Sequence, residues 1–197
     1  MPRKNLGFTI MELLAAITIL GIMVTITIPI VMNVMNNQRN KKYVEDSIRL
    51  VSAADYKMRN DNKMPVPPIN SCVVMSLVYL DDDTFEEAPL GGKYDKMVSF
   101  VVAKRNYEGY DEDYLYYVRL VEKTKAGSYR GINFTEVNNL YKEKAEDSYV
   151  VNLTSDKISP LKSYTSHTLR NFLNNTYGIY CQNLYIYPPD EINKEGA

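Results

Sequence analysis

Residues 7–12 read Gly7-Phe8-Thr9-Ile10-Met11-Glu12, and this stretch decides how the chain is organised. It follows a short basic leader with Arg3 and Lys4, and it opens an apolar run that continues to Met35. Glu12 is the only charged residue within that run. An acidic side chain at the centre of a membrane span costs roughly 2.5–3.5 kcal/mol, and less near an end, so Glu12 is expected to have a function.

The apolar run has the length of a membrane span. From Leu13 to Met32 there is no charged residue. A helix that rises ~1.5 Å per residue would cross the ~30 Å apolar core of a bilayer within this segment. A cleavable secretory signal has a shorter apolar core that ends at an Ala-x-Ala-like site, and neither property is present here. The segment is therefore predicted to be a membrane-spanning helix.

Two residues are expected to weaken this helix in its middle. Gly21 contributes no side-chain packing, while Pro29 lacks a backbone donor and clashes with the preceding turn. Residues 22–28 are therefore predicted to unwind more easily than their flanks. The alternative interpretation is a simple kink in a membrane anchor.

Beyond the apolar run, the sequence predicts that the helix continues and becomes amphipathic. Apolar residues recur at steps of three and four and would form one stripe, at Val44, Ile48, Val51, Ala54 and Met58. Charged residues occupy much of the remaining surface. We therefore expect one long helix from residue 8 to about residue 60, with its second half packed on a sheet.

The remaining sequence indicates an α+β domain with a mainly antiparallel sheet. Residues 61–71 contain three prolines and are predicted to be a loop. Residues 72–80 fit either a helix or a strand, with the helix slightly favoured. The predicted strands cover residues 97–103, 114–122, 149–153 and 178–187, and residues 129–134 form either a short strand or a loop. The predicted helices cover residues 135–144, with Thr135 as the cap, and residues 166–174.

The charge balance argues against a strongly basic nucleic-acid-binding protein. The 197 residues include 23 Lys and Arg against 24 Asp and Glu. A DNA-facing patch would have to use Lys93, Lys96, Lys104, Arg105, Arg119, Lys123, Lys125 and Arg130. Acidic residues interleave with these positions, so DNA is retained only as a disfavoured partner.

No enzyme or cofactor motif stands out. The single histidine, His167, has no nucleophile that the sequence pairs with it, and there is no phosphate-binding glycine loop or zinc-ligand spacing. Asp81, Asp82 and Asp83 are the strongest calcium candidates, but their spacing matches no EF-hand loop. We therefore expect no cofactor, no metal and a solvated acidic loop.

Cys72 and Cys181 both follow the apolar run. If this part of the chain leaves the cytosol, a disulfide between them is chemically allowed and would tie the start of the domain to its last predicted strand. The alternative is two buried free thiols.

The N-terminus resembles that of the type IV pilin and pseudopilin superfamily. The resemblance rests on the basic leader and on Gly7, Phe8, Thr9, Glu12, Leu13 and Leu14 before the apolar run. It implies that a prepilin peptidase cuts between Gly7 and Phe8 and that Phe8 is then N-methylated. It also implies that Glu12 pairs with the new amine of Phe8, in the same or a neighbouring subunit, and sets the filament register. Residues 21–29 would match the region that unwinds when pilins enter a filament.

The resemblance also implies an organisation and a set of partners. A leader would cover residues 1–7, a transmembrane and assembly helix 8–35, its amphipathic continuation 36–61, and an extracytoplasmic domain 62–197. The partners would be other pilin subunits, the peptidase and a membrane assembly platform, in a type IV pilus, a type II secretion pseudopilus or a competence pilus. The chain would cross the cytoplasmic membrane once, with its N-terminus on the cytosolic side and its domain outside, and would be part of an extracellular filament after assembly. The alternative is a membrane-anchored extracellular enzyme or binding module that does not polymerise.

Overall fold

The computed structural model describes residues 9–61, 64, 66–80, 85, 87–106, 114–159, 161 and 165–187. The chain divides into two compact units, residues 1–38 and 39–197. Helix α1 spans Ile10–Asn60, with Pro29 inside it. The prediction of one long helix that ends near residue 60 is therefore confirmed.

The second unit is built around a seven-stranded sheet. Its strands are β1 (Cys72–Ser76), β2 (Lys93–Tyr94), β3 (Phe100–Arg105), β4 (Tyr114–Lys123), β5 (Tyr129–Glu136), β6 (Val150–Leu153) and β7 (Leu184–Tyr187). They lie in the order β6-β5-β4-β3-β1-β7, and β2 pairs with β4 beside this path. All pairs are antiparallel except β1 with β7. The predicted α+β fold with a mainly antiparallel sheet is confirmed.

Within this unit, the last turns of α1 pack on one face of the sheet. Tyr43, Leu50 and Ala54 are fully buried there, in one cluster with Val73 and Val101. Of the predicted stripe, Val44, Val51 and Ala54 are buried, while Ile48 and Met58 are partly buried against the same cluster. The spacing of three and four residues therefore identified the correct helix face.

Tyrosine–carboxylate hydrogen bonds fasten α1 to this face. The Tyr94 hydroxyl donates to Asp46 at 2.7 Å. The Tyr116 hydroxyl donates to Asp55 at 2.7 Å, and that of Tyr79 donates to Asp61 at 2.5 Å. Asp46 is buried, so the bond from Tyr94 offsets part of the cost of burying its charge.

Glu122 is the most deeply buried of these acids. Its carboxylate accepts a hydrogen bond from the Tyr43 hydroxyl, and the backbone N–H groups of Leu90 and Gly92 donate to it at 3.1 and 2.8 Å. A Cβ at Gly92 would lie 2.2 Å from the carbonyl oxygen of Lys123, so only glycine allows this approach. One buried carboxylate thus joins α1, β4 and the loop before β2.

The opposite face of the sheet carries a second, aromatic core. Phe100, Phe134, Phe172 and Tyr177 contact one another there. Short helices cover this face, namely α5 (Ser155–Ile158), α6 (Ser166–Asn171) and a π-helical turn (Phe172–Thr176). Thr165 and Thr168 form a capping box at the start of α6.

The structure decides one open alternative in the domain and corrects one expectation. Residues 72–76 form a strand, because β1 lies between β3 and β7 and is buried throughout; only Leu77–Leu80 (α2) is helical. Thr135 caps no helix, because it pairs with Val118 as part of β5. The predicted helix 135–144 is reduced to α3 (Val137–Leu140), and a separate helix, α4, follows at Ala145–Tyr149.

The predicted final strand is also too long, since β7 begins only at Leu184. Cys181 therefore lies before β7 and not within it. Of the two alternatives for the cysteines, the structure has the disulfide, with the Cα atoms of Cys72 and Cys181 5.5 Å apart.

Candidate assembly site at the start of the apolar helix

Thr9 and Glu12 form a reciprocal cap on the first turn of α1. The Thr9 hydroxyl accepts a hydrogen bond from the Glu12 backbone N–H at 3.3 Å. The Glu12 Oε2 accepts from the Thr9 backbone N–H and from its hydroxyl, both at 2.9 Å. This arrangement is a capping box, which satisfies backbone donors that have no partner within the helix.

The sequence itself carries the signal for this cap. A threonine followed three residues later by a glutamate, just before an apolar run, is the pattern of a capping box. The sequence analysis gave Thr9 no role beyond its place in the motif, so its capping of Glu12 was missed. The pattern explains why a carboxylate is tolerated here: it is hydrogen-bonded at a helix N-terminus, where negative charge is favourable.

The apolar part of α1 leaves its side chains uncovered. All large apolar side chains from Ile10 to Met35 are between 44 and 80% exposed. An 18-residue window of α1 has a mean hydropathy of 2.5 and contains no buried residue, so by length and composition this helix could cross a membrane. Such a surface is expected to be covered by lipid or by other apolar helices, because a helix that is hydrophobic all round is not stable in water.

Polar groups inside the apolar segment are satisfied locally. The hydroxyl of Thr18 donates to the carbonyl oxygens of Leu14 and Ala15. Those of Thr25 and Thr27 donate to Ile22 and Met23, both at 2.7 Å. Threonine is therefore compatible with an apolar environment here.

The two helix-weakening positions lie in this same segment. A Cβ at Gly21 would meet no atom within 4 Å, and α1 continues through Pro29. The easier unwinding of residues 22–28 stays a prediction.

The comparison with known families decides how this N-terminus is interpreted. The prokaryotic N-terminal methylation motif matches residues 2–28. The chain carries a prepilin-type N-terminus. The match covers the N-terminal motif alone, and it supports the predicted relation to type IV pilins and pseudopilins. No curated protein and no solved structure matches the chain.

The prepilin motif spans the capping box, while the two residues at the expected cleavage point lie outside the described part of the chain. Gly7 and Phe8 precede Thr9, the first described residue. The motif implies processing by a prepilin peptidase and assembly with other pilins, while the position of the cut stays a prediction.

The sequence analysis also considered a calcium site and the single histidine. Asp81, Asp82 and Asp83, the calcium candidates, lie outside the described residues. Among the described residues, no cluster of three or more metal-binding side chains occurs. His167 is exposed on α6.

Arg119 cannot belong to a DNA-facing patch, because it is fully buried. Its burial corrects the suggested set of basic residues. Lys93, Lys96, Lys123 and Lys125 do line one cavity of about 800 Å³, together with Glu87.

Proposed function

We propose that this chain is a prepilin-like structural subunit that polymerises through its N-terminal helix. The carrying observation is the prepilin motif over residues 2–28, whose first described turn presents the Thr9–Glu12 cap on an uncovered apolar helix. The filament is a type IV pilus, a type II secretion pseudopilus or a competence pilus, and the N-terminal helix is common to all three.

Processing is the first step of the proposal. A prepilin peptidase cuts between Gly7 and Phe8 and removes the leader, residues 1–7, and Phe8 is N-methylated. Glycine before the cut lets the backbone approach the peptidase closely. Residues 8–35 form the membrane and assembly helix, 36–61 its amphipathic continuation, and 62–197 the domain outside the cytoplasmic membrane. An assembly platform in the membrane receives the mature subunit.

Glu12 then sets the register between subunits. Both bonds from Thr9 end on Oε2, and Oε1 accepts no hydrogen bond from a described residue. A carboxylate has about four acceptor positions, so the capped Glu12 can still receive the charged amine of Phe8 from a neighbouring subunit. Opposite charges attract strongly in a low-dielectric filament core, and an unpaired charge there is costly. The pair thus selects one axial stagger among many that apolar contacts alone would allow.

The capping box suggests an experiment that separates capping from charge. Glutamine also serves as the third residue of a capping box, so Glu12→Gln keeps the helix start but removes the negative charge. Thr9→Val does the reverse: it removes the capping hydroxyl and keeps the charge. Each variant is expressed with the peptidase and the assembly machinery, and the N-terminus and the filament yield are measured.

Mass spectrometry of the membrane fraction should find an N-methylated Phe8 terminus in all variants. We expect Glu12→Gln and Glu12→Ala to abolish filaments, and Thr9→Val to reduce them only partly. Normal filaments from Glu12→Gln would refute the register role of the charge. A mature terminus at Met1 or Pro2 would instead refute the prepilin proposal and favour a non-polymerising membrane anchor.

A further inference from the structure

A surface cavity of about 500 Å³ lies beside the aromatic core of the domain. The rings of Phe172 and Tyr177 form part of its wall, and Thr168, Asn171 and Asn175 supply hydroxyl and amide groups. Its volume lies within the range of about 300–1,000 Å³ of small-molecule sites, which combine apolar walls with a few polar groups. The prepilin function uses none of these residues.

A buried positive charge lies directly behind this cavity. Arg119 is fully buried, and its guanidinium lies 5.4 Å from the centre of the Phe172 ring. It donates to the carbonyl oxygens of Val98 at 3.1 Å, Asn133 at 2.6 Å and Lys157 at 3.2 Å. No carboxylate within the described residues forms an ion pair with it.

Arg119 keeps this charge at neutral pH. Burial lowers its pKa to about 10, which still leaves the guanidinium protonated at pH 7. Amide and carbonyl oxygens and the Phe172 ring surround this cation, and Asp95 favours its charge without forming an ion pair with it, so a buried cation of this kind attracts a nearby anion.

A chain of two hydrogen bonds connects the Arg119 guanidinium to the cavity. Arginine can only donate, and its Nη1 donates to Asn133 Oδ1, so the orientation of the Asn133 amide is fixed. The Asn133 Nδ2 then donates to the Tyr177 hydroxyl oxygen at 2.8 Å. Because Tyr177 accepts in this bond, its own hydroxyl hydrogen remains available for another acceptor. Asn133 and Tyr177 both line the cavity. Hydrogen bonds in a chain polarise one another, so the Tyr177 hydroxyl, the last donor of this chain, is a stronger donor than an isolated phenol.

We propose that this cavity binds a sugar residue that bears a carboxylate, with the Tyr177 hydroxyl donating to the carboxylate. The aromatic rings can pack against the C–H groups of a sugar ring, while the amides and hydroxyls bond its hydroxyl groups. Asp156 and Lys157 also line the cavity, and their opposite charges offset each other. The buried positive charge of Arg119 therefore favours a negatively charged ligand in this cavity.

The test measures sugar binding by the full chain in detergent micelles. The probes are galacturonic acid, glucuronic acid and N-acetylneuraminic acid, each compared with an uncharged sugar: galactose, glucose and N-acetylmannosamine. Saturation-transfer NMR titrations should give at least one acidic sugar that binds about tenfold more tightly than its uncharged counterpart, as expected for a hydrogen bond to a charged group. If no acidic sugar exceeds its counterpart, the proposal is wrong.

Three variants locate the site. Tyr177→Phe keeps the ring and should weaken binding of that acidic sugar by about tenfold, while Tyr180→Phe, at a 69% exposed tyrosine, should have no effect. Asn175→Ala, at the exposed rim, should weaken binding by roughly two- to tenfold. Because Asn175 lies outside the core, this variant tests the site even if Tyr177→Phe disturbs the packing of the domain. Unchanged affinity in Tyr177→Phe or in Asn175→Ala would overturn the assignment of this cavity.

Discussion

The two parts of helix α1 differ in how far their apolar side chains are buried, although both are the same continuous helix. From Ile10 to Met35 every large apolar side chain is at least 44% exposed, whereas Tyr43, Leu50 and Ala54 have no exposed surface. In the first part the only carboxylate, Glu12, lies at the helix start. In the second, Asp46 and Asp55 face the sheet and accept tyrosine hydroxyls.

From this difference we expect that what covers each part, more than the helix itself, determines which substitutions it tolerates. The second part is stabilised by contacts within its own unit, so its substitutions should change domain stability. The large apolar side chains of the first part are exposed, so its substitutions should act on insertion and assembly. Four sets of substitutions and one pH dependence test this division.

The largest effect is expected from removing the disulfide. Cys72→Ser combined with Cys181→Ser opens a loop with a sequence separation of 109, and the chain-entropy model gives a loss of about 4–5 kcal/mol for such a loop. Denaturant unfolding of the full chain in micelles, followed by tyrosine circular dichroism, should show the loss. Hydrogen exchange of residues 13–32 should not change. An unchanged unfolding midpoint would contradict the prediction.

Matched leucine truncations compare the two parts of α1 directly. Leu50→Ala removes a fully buried side chain and should lower the unfolding free energy of the domain by about 2–5 kcal/mol. Leu20→Ala truncates a 59% exposed side chain and should leave domain unfolding unchanged. Equal effects on the domain would show that the division between the two parts is wrong.

Glu122→Gln tests the acid that joins α1 to the sheet. The amide nitrogen would meet the backbone donors of Leu90 and Gly92 or the Tyr43 hydroxyl, and a buried donor without an acceptor costs about 1–3 kcal/mol. Glu143→Gln, at an exposed position, is the matched control. Chemical unfolding of both variants gives the comparison, and equal midpoints would rule out this role of Glu122.

Tyr116→Phe should have the smallest effect, about 1 kcal/mol, because it removes one hydrogen bond to Asp55 and keeps the ring. Tyr141→Phe, at a 68% exposed residue, should be neutral. Chemical unfolding of both variants measures the difference. If Tyr141→Phe lowered the free energy of unfolding as much as Tyr116→Phe does, the role of specific tyrosine–carboxylate bonds would be refuted.

The same bonds predict how stability depends on pH. Burial, followed by the hydrogen bonds to carboxylates, raises the pKa of Tyr43, Tyr79, Tyr94 and Tyr116 above that of a free phenol. The unfolded chain releases these protons from about pH 10 while the folded domain keeps them, so stability is complete below pH ~10 and falls above it. Arg119 acts in the opposite sense, because burial lowers its pKa, but it is one group against four.

Sequence reasoning worked where one physical requirement acted alone. A charge-free apolar run of this length predicts a helix, because the backbone of a membrane span must satisfy its own hydrogen bonds. The spacing of Val44, Val51 and Ala54 predicts a helix with one buried face. It failed where tertiary pairing decided. Residues 72–76 are apolar enough for either a helix or a buried strand, and only their position between β3 and β7 selects the strand.

Thr135 and Arg119 illustrate the same limit at single residues. Thr135 is suitable as a cap, but pairing with Val118 keeps it in β5. Arg119 was counted among surface cations, and nothing in the local sequence indicates that carbonyl oxygens from three distant segments surround it. The Thr9–Glu12 cap, in contrast, was readable from spacing alone.

The parallel pair of β1 and β7 imposes an order of events on the subunit. β1 is the first strand of the sheet in the chain and β7 the last, yet they are neighbours. A chain threaded across a membrane from its N-terminal anchor would leave the backbone groups along one side of β1 without partners until residue 187 arrives. If the domain is exported as proposed, the sheet can be completed only after residue 187 has crossed the membrane, and a subunit that joined a filament earlier would display an open strand edge, which invites non-native pairing.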